Sequence, residues 1–163
     1  MSFKAAVVTV SDSVSAGRNS DDSGPEASRI LVAAGAEILE HSVVSDDIGL
    51  ISDELVRLSA AGASVIVTNG GTGVSPRDNT PEATIGVCDR MVPGIGELMR
   101  SVSVKKTPYA SLSRAVAGIR GATLIVNLPG SPGGVRDCLE AVIEVIPHAV
   151  GLLENKPTPH LQT

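Results

Sequence analysis

Thr68-Asn69-Gly70-Gly71-Thr72-Gly73-Val74-Ser75-Pro76-Arg77-Asp78-Asn79-Thr80-Pro81 follows directly on Ser64-Val65-Ile66-Val67, a short apolar run that reads as a buried parallel strand. The glycines at 70, 71 and 73 let the backbone bend sharply and present bare N–H groups. A turn of this kind at the carboxyl end of a parallel strand is where open α/β sheets bind ligands. Thr80-Pro81-Glu82 then reads as a helix start, with Thr80 as N-cap, Pro81 at the first helical position and Glu82 in the first turn. Strand exit, Arg77-Asp78 and helix N-terminus converge on a small volume suited to an anion such as phosphate. Asp78 adds an acid able to hold a metal ion or take part in acid–base chemistry. The stretch lacks the Lys-Ser/Thr ending of a P-loop, and its glycine spacing is not that of the dinucleotide fingerprint. A plain polar connection uses the same residue types, but about two to six residues suffice for one. The length and the Arg-Asp pair favour a ligand loop.

Outward from that loop the chain alternates between strand and helix. Residues 4–10 read as a strand, and 11–24 as a polar loop. Pro25 opens a helix carrying Ala27, Ile30, Leu31 and Ala34 at helical spacing, and Gly35 closes it. Residues 37–44 form a second strand, 47–61 a helix with Ile48, Ile51, Leu55 and Leu58 on one face, and 64–68 the third strand. This order predicts a doubly wound parallel sheet. Its strand exits deliver Ser11-Asp12, Ser45-Asp46-Asp47 and residues 69–78 to one edge. Residues 80–99 are expected as two helices broken at Pro93-Gly94. Weak strand 115–119 and strand 122–128, joined by Arg120-Gly121, form a hairpin, which makes one strand antiparallel. The expected fold class is therefore α/β, three layers (α/β/α), with a mostly parallel sheet and one antiparallel strand. Asn127-Leu128-Pro129-Gly130-Ser131-Pro132-Gly133-Gly134 is a second glycine-rich strand exit, as fit for a simple turn as for a ligand. A last helix over 135–153 should kink at Pro147. One domain over 1–154 is expected, with a tail over 155–163 that either stays disordered or lies on a partner subunit.

Composition narrows the function. With 163 residues, 42% hydrophobic and 19% charged, the chain is globular and long enough for a real core. One Phe, one Tyr and no Trp leave a core of Val, Ile, Leu and Ala, which suits a parallel sheet under helices. The same scarcity counts against single-stranded nucleic-acid recognition by stacking. A net charge of −5, with no basic cluster beyond Lys105-Lys106, argues against nucleic acid and against an anionic membrane surface. Cys88 and Cys138 fall in expected helices and read as buried free thiols. His41, His148 and His160 lie far apart and near no Cys, so no His/Cys metal spacing exists. No apolar run reaches membrane-spanning length, and no signal peptide precedes the first strand, so a cytoplasmic protein is expected.

Asn69-Gly70-Gly71-Thr72-Gly73 with Pro76-Arg77-Asp78-Asn79-Thr80-Pro81-Glu82-Ala83-Thr84 resembles the signature of the MogA/MoaB family of molybdenum-cofactor biosynthesis proteins, whose fold also occurs in the G domain of gephyrin. Supporting segments run along the chain, among them Val10-Ser11-Asp12, Asp22-Ser23-Gly24, Val44-Ser45-Asp46-Asp47, Leu112-Ser113-Arg114 and Asn127-Leu128-Pro129-Gly130. The resemblance implies a homotrimer that binds molybdopterin, a pterin bearing a dithiolene and a terminal phosphate. It further implies adenylyltransferase activity: AMP passes from ATP to that phosphate, pyrophosphate is released, and Mg2+ assists. The product would go to a separate molybdate-insertion protein. The family's two functional acids fall on Asp46 and Asp78, which the resemblance also implies as magnesium ligands. By the same resemblance the Gly70, Gly71, Thr72 and Gly73 turn, led by Asn69, cradles phosphate. Ser113, Asn127, Pro129 and Gly130 contact pterin or phosphate, and Ser11 and Asp12 line the nucleotide side.

From the residues alone, Asp46 and Asp47 read first as N-caps, and Asp78 as a partner of Arg77 or a cap of the Thr80 helix. The resemblance assigns function to Asp46 and Asp78 and leaves Asp47 as the cap. Arg114 and Arg120 suit a phosphate or a surface salt bridge equally well. Asn69 stands where many relatives have Thr, Ser45 where Pro is common, and Ser131 where Asn or Gln is common. Against the transferase stands a MoaB-like trimeric pterin- or nucleotide-binding protein without turnover. A pyridine-nucleotide hydrolase is a third reading, against which the absence of a second domain counts.

Overall fold

The strand that the glycine loop leaves lies inside a six-stranded sheet of order β2-β1-β3-β6-β5-β4. The strands are β1 (Phe3–Val10), β2 (Ala36–Val44), β3 (Val65–Asn69), β4 (Arg90–Met91), β5 (Ala117–Arg120) and β6 (Thr123–Leu128). The computed structural model describes residues 2–155; most of the expected tail, and with it His160, lies outside them. β2, β1, β3 and β6 run parallel, and β5 runs antiparallel to both β6 and β4. The helices are α1 (Asp12–Ser15), α2 (Ser23–Ala33), α3 (Ile48–Ala60), α4 (Thr80–Val87), α5 (Pro93–Ser103), α6 (Pro132–Val142) and α7 (Val145–Leu153), with a 3-10 helix at Pro108–Leu112.

Alternation along the central strands divides the core in two. Ala5, Val7, Val65, Val67, Leu124 and Val126 face the layer of α2, α5, α6 and α7, where Leu31, Met99, Leu139 and Ile146 meet them. Ala6, Val8, Val10, Ile66 and Ile125 face α3 and α4 through Ile51, Leu55, Leu58 and Ala83. Strands apolar on both faces are what a parallel sheet covered by helices requires.

Several boundaries differ from expectation. The hairpin turns at Gly121-Ala122 rather than Arg120-Gly121, because Gly121 takes φ +55°, the left-handed conformation that a two-residue turn needs. Pro93 starts α5 instead of interrupting a helix, and the two-residue edge strand β4 precedes it. The final helix is two helices. The break at Ile143-Glu144 lies just ahead of Pro147, which has no N–H to offer the Ile143 carbonyl. Thr80 is the first residue of α4 rather than its cap, for its hydroxyl donates to the Gly70 carbonyl at 2.8 Å. Asp47 does cap α3, accepting from the Leu50 N–H at 3.0 Å.

Glu26 of α2 pins that helix to α6. Its carboxylate accepts from Arg29 at 2.9 Å and from Arg136 at 2.7 Å. The Arg29 hydrogen bonds first, and then Arg136, hold its pKa at about 2 against an ordinary 4.5. A depressed carboxylate contributes stability above its unfolded pKa and loses it as pH falls through the folded one. Glu26→Gln should therefore lower the melting temperature at pH 7, and the gap to wild type should close between pH 4.5 and about 2 in a pH series of thermal melts.

Candidate active site

The parallel register Thr9–Asn69–Leu128 brings the exits of β1, β3 and β6 side by side at the sheet's carboxyl edge. Gly70 sits between the other two exits. Its N–H donates to the Leu128 carbonyl at 3.1 Å, and a Cβ on it would lie 2.2 Å from the Val10 carbonyl oxygen. Gly70 and Gly71 have φ of +104° and +66°, which L side chains rarely adopt.

The loop that follows has its carbonyls turned inward. Those of Gly70 and Gly71 accept from the Thr80 hydroxyl and N–H. Thr72 O accepts from the Arg114 N–H at 2.8 Å, and Gly73 O from Arg114 Nε at 2.6 Å. Arg114 also donates to Asp78 O at 2.6 Å and pairs with Glu82. No acceptor among the described residues takes the N–H groups of Gly71, Thr72 or Gly73. Successive N–H groups left without acceptors are the donors from which anion-binding concavities are built. The surface salt bridge expected as one alternative for Arg114 is present, with Glu82, and the same guanidinium also braces this loop through the Gly73 and Asp78 carbonyls. Arg120 is remote from the loop and donates to the Val87 carbonyl at 2.8 Å.

The acids come from different strand exits. Asp46 and Asp12 are latched reciprocally: the Asp12 N–H donates to the Asp46 carboxylate at 2.8 Å and the Asp46 N–H to the Asp12 carboxylate at 3.0 Å. Arg77 grips Asp12 at 2.8 Å, so Asp12, rather than Asp78, is its partner. The Asp46 N–H, and then Arg77, hold the Asp12 carboxyl below its ordinary range. Burial pushes the Asp46 carboxyl up, and the charges of Asp12 and Asp78 push in the same direction. Asp78 accepts from the Ser75 N–H at 2.8 Å. Asp46 and Asp78 are hard oxygen donors on one cleft, a fit for magnesium with phosphate and water oxygens completing its shell. Among the described residues no cluster of three or more acid, His or Cys side chains could hold a metal by itself.

Two cavities meet here. One, of about 490 Å³, lies between the loop, α5, the 3-10 helix and α6, and includes Thr72, Gly73, Met99, Tyr109, Ser113, Pro129 and Cys138. The other, of about 370 Å³, is more polar and includes Ser11, Ser13, Ser23, Asp46, Asn69 and Gly70. Gly71, Asp78 and Gly130 line both.

Two expected contact residues lie elsewhere. Asn127 is fully buried on the α4 face: its amide donates to Thr68 at 3.1 Å and Thr84 at 2.9 Å, and its carbonyl accepts from the Val116 N–H. Turning it outward would strand buried partners at about 1–3 kcal/mol each, against about 0.5–1.5 kcal/mol returned by a ligand hydrogen bond. It is a scaffold residue beneath the site. Asp12 lines neither cavity, its carboxylate being taken by Arg77 and Asp46. Asn69 borders the polar cavity, but its amide N–H groups go to Thr9 at 3.0 Å and Ser23 at 2.6 Å. Ser131 caps α6 through the Gly134 N–H, which explains a short hydroxyl there. The sequence also left unmarked a cluster under the polar cavity. In it Thr9 donates to Asp21 at 2.6 Å, and His41 lies 2.9 Å from the same carboxylate. Its members are scattered through the chain, and only the fold assembles them.

Residues 6–148 match the family described as a probable molybdopterin binding domain. The molybdopterin adenylyltransferase of Helicobacter pylori is 45% identical over 150 residues, covering 90% of this chain and 85% of that protein. The protein of that name from Escherichia coli K12 is 34% identical over 176 residues, covering 99% and 89%. Among solved structures, the molybdopterin biosynthesis enzyme MoaB of Thermus thermophilus has a TM-score of 0.88 and 48% identity, covering 95% of this chain and 98% of that one.

The squeeze at Gly70 is directly testable. Gly70→Ala combines a left-handed φ with a Cβ driven into the Val10 carbonyl, and should cost more than about 2 kcal/mol in urea unfolding.

Proposed function

The chain belongs to the molybdopterin-binding family, and from that premise we propose that it is a molybdopterin adenylyltransferase of molybdenum-cofactor biosynthesis. The observation that carries this reading is the pair of cavities joined at Gly71, Asp78 and Gly130. A transfer between two bound molecules needs two clefts and one shared point. The cavity with Met99, Leu112, Pro129 and Cys138 takes the flat pterin, and the polar one takes the nucleotide. The names of the relatives at 45% and 34% identity support the same activity.

At the junction the N–H groups of Gly71 to Gly73 hold the phosphate of molybdopterin. One of its oxygens attacks the α-phosphorus of ATP. The bond from that phosphorus to the bridging oxygen breaks, and its electron pair leaves with pyrophosphate. A phosphate monoester is a nucleophile at neutral pH, so no strong base is required, and positioning and charge neutralisation dominate. Asp46 and Asp78 would hold magnesium, which supplies charge neutralisation and orientation of the triphosphate. Ser11 and Asn69 border the nucleotide cleft, and Ser113, Pro129 and Gly130 the pterin cleft.

The proposal extends to a homotrimer, a cytoplasmic location and hand-over of the product to a separate molybdate-insertion protein. No helix among the described residues is long and apolar enough to cross a membrane. In the segment around α5, Ile95 and Met99 serve the core while Leu98 is 39% exposed, and Leu152 of α7 is 55% exposed; both suit contact between copies. Light scattering should return the mass of three chains. The second reading is a trimeric pterin- or nucleotide-binding protein without turnover, which would keep the same two cavities.

The deciding assay supplies molybdopterin, ATP and magnesium and reads pyrophosphate and adenylylated pterin. Wild type should turn over, and Asp46→Ala and Asp78→Ala should each lower kcat on the order of 100-fold with folding intact. Saturable pterin binding of equal affinity in wild type and Asp78→Ala, with no product from either, would establish the second reading instead.

A further inference from the structure

The pterin cavity carries a second carboxylate that the transfer does not use. Asp137 of α6 lines it beside Cys138, whose buried thiol lies 3.4 Å from the Ser103 hydroxyl of α5. Burial pushes that thiol up, so it presents an uncharged wall. The Asp137 side chain is 25% exposed, and one of its oxygens takes the Lys106 ammonium at 2.5 Å. No hydrogen bond from a described residue reaches the other oxygen. Asp78 and Gly71 mark the junction end of this cavity, where the phosphate reacts; Ser103, Asp137 and Cys138 line this cavity only. A ligand with its phosphate at the junction and a flat heterocycle at its other end must bring the heterocycle toward α5 and α6.

We propose that Asp137 reads the donor edge of the pterin, accepting hydrogen bonds from its N3–H and 2-amino group, and so selects a 2-amino-4-oxo pteridine over its 2,4-dioxo counterpart. This rests on the adenylyltransferase reading for the identity of the ligand. A carboxylate offers two acceptors side by side, and the 2-amino-4-oxo edge offers two parallel N–H donors, the geometry that makes bidentate charge-assisted pairs strong. A 2-oxo ring places an acceptor against the anion instead, and a site built for a donor rejects the analogue lacking it. Lys106 holds the carboxylate from the rim. Arg100, which also lines the cavity, donates to the Ala115 carbonyl at 2.7 Å and so has part of its guanidinium committed to the backbone.

Fluorescence titration of the full chain at pH 7 with 6-hydroxymethylpterin and 6-hydroxymethyllumazine tests this on wild type, Asp137→Asn and Lys106→Ala, with melting temperatures as the control for folding. Wild type should prefer the pterin at least about tenfold. Asp137→Asn should lose most of that preference, whereas Lys106→Ala, which keeps the carboxylate, should retain it. An unchanged preference in Asp137→Asn overturns the proposal. So does equal loss in both variants, which would mark the pair as a structural ion pair. Failure of wild type to bind the pterin while still adenylylating molybdopterin also overturns it. Failure of both binding and turnover overturns the transferase reading beneath it.

Discussion

Three backbone segments cannot be brought closer than they are at Gly70. The exit of β1 leaves no room for a Cβ there and the exit of β6 accepts its N–H, while Gly130 stands close enough that a Cβ on it would just touch the Gly70 Cα, at 3.4 Å. The parallel pairing of β1, β3 and β6 sets this approach, and the left-handed conformations at 70 and 71 are the means by which β3 leaves without collision. Both cavities inherit their geometry from it, because the residues they share flank that point. Bulk at Gly70 itself would push the β1 and β3 exits apart.

The loop's polarity follows from a division of labour among arginines. A basic residue beside a phosphate site is ordinarily read as a phosphate ligand. Here Arg114 instead engages the loop's carbonyls from behind, and Arg77 neutralises Asp12, so both cations build the site rather than fill it. What remains along the cleft is Gly71, whose N–H has no acceptor among the described residues, together with Asp46 and Asp78. Asp46 carries an unfavourable burial of its charge, which a bound cation would relieve.

Period and punctuation made the fold legible. The β-α-β-α-β alternation, Gly35 and Gly62 at the ends of its two helices and the tight hairpin all report local chemistry, and they implied the parallel half and the antiparallel strand. The two-residue β4 was not legible, because so short a strand exists only through its pairing with Ile119 and Gly118. In the site, the glycine loop stood out by its length and its Arg77-Asp78 pair, whereas Asp46 and Asp78 read from the residues alone as caps or an ion-pair partner and were singled out by the family resemblance. Asn127 was assigned a ligand contact by the resemblance, and only the packing of Thr68 and Thr84 around it reveals that its hydrogen bonds are internal. Arg114 was visible as a residue but not as a brace, since its partners lie at Thr72, Gly73, Asp78 and Glu82 in another part of the chain.

The scarcity of aromatic residues has an optical consequence. The chain has no Trp and one Tyr, and that one, Tyr109, lines the cavity between the glycine loop, α5 and α6 with 79% of its surface exposed. The protein's intrinsic emission beyond that of its single Phe therefore comes from one ring at the mouth of the cavity, against an otherwise dark polypeptide. A heteroaromatic ligand that absorbs where tyrosine emits would quench it from within energy-transfer range. The unlabelled protein carries its own reporter of occupancy.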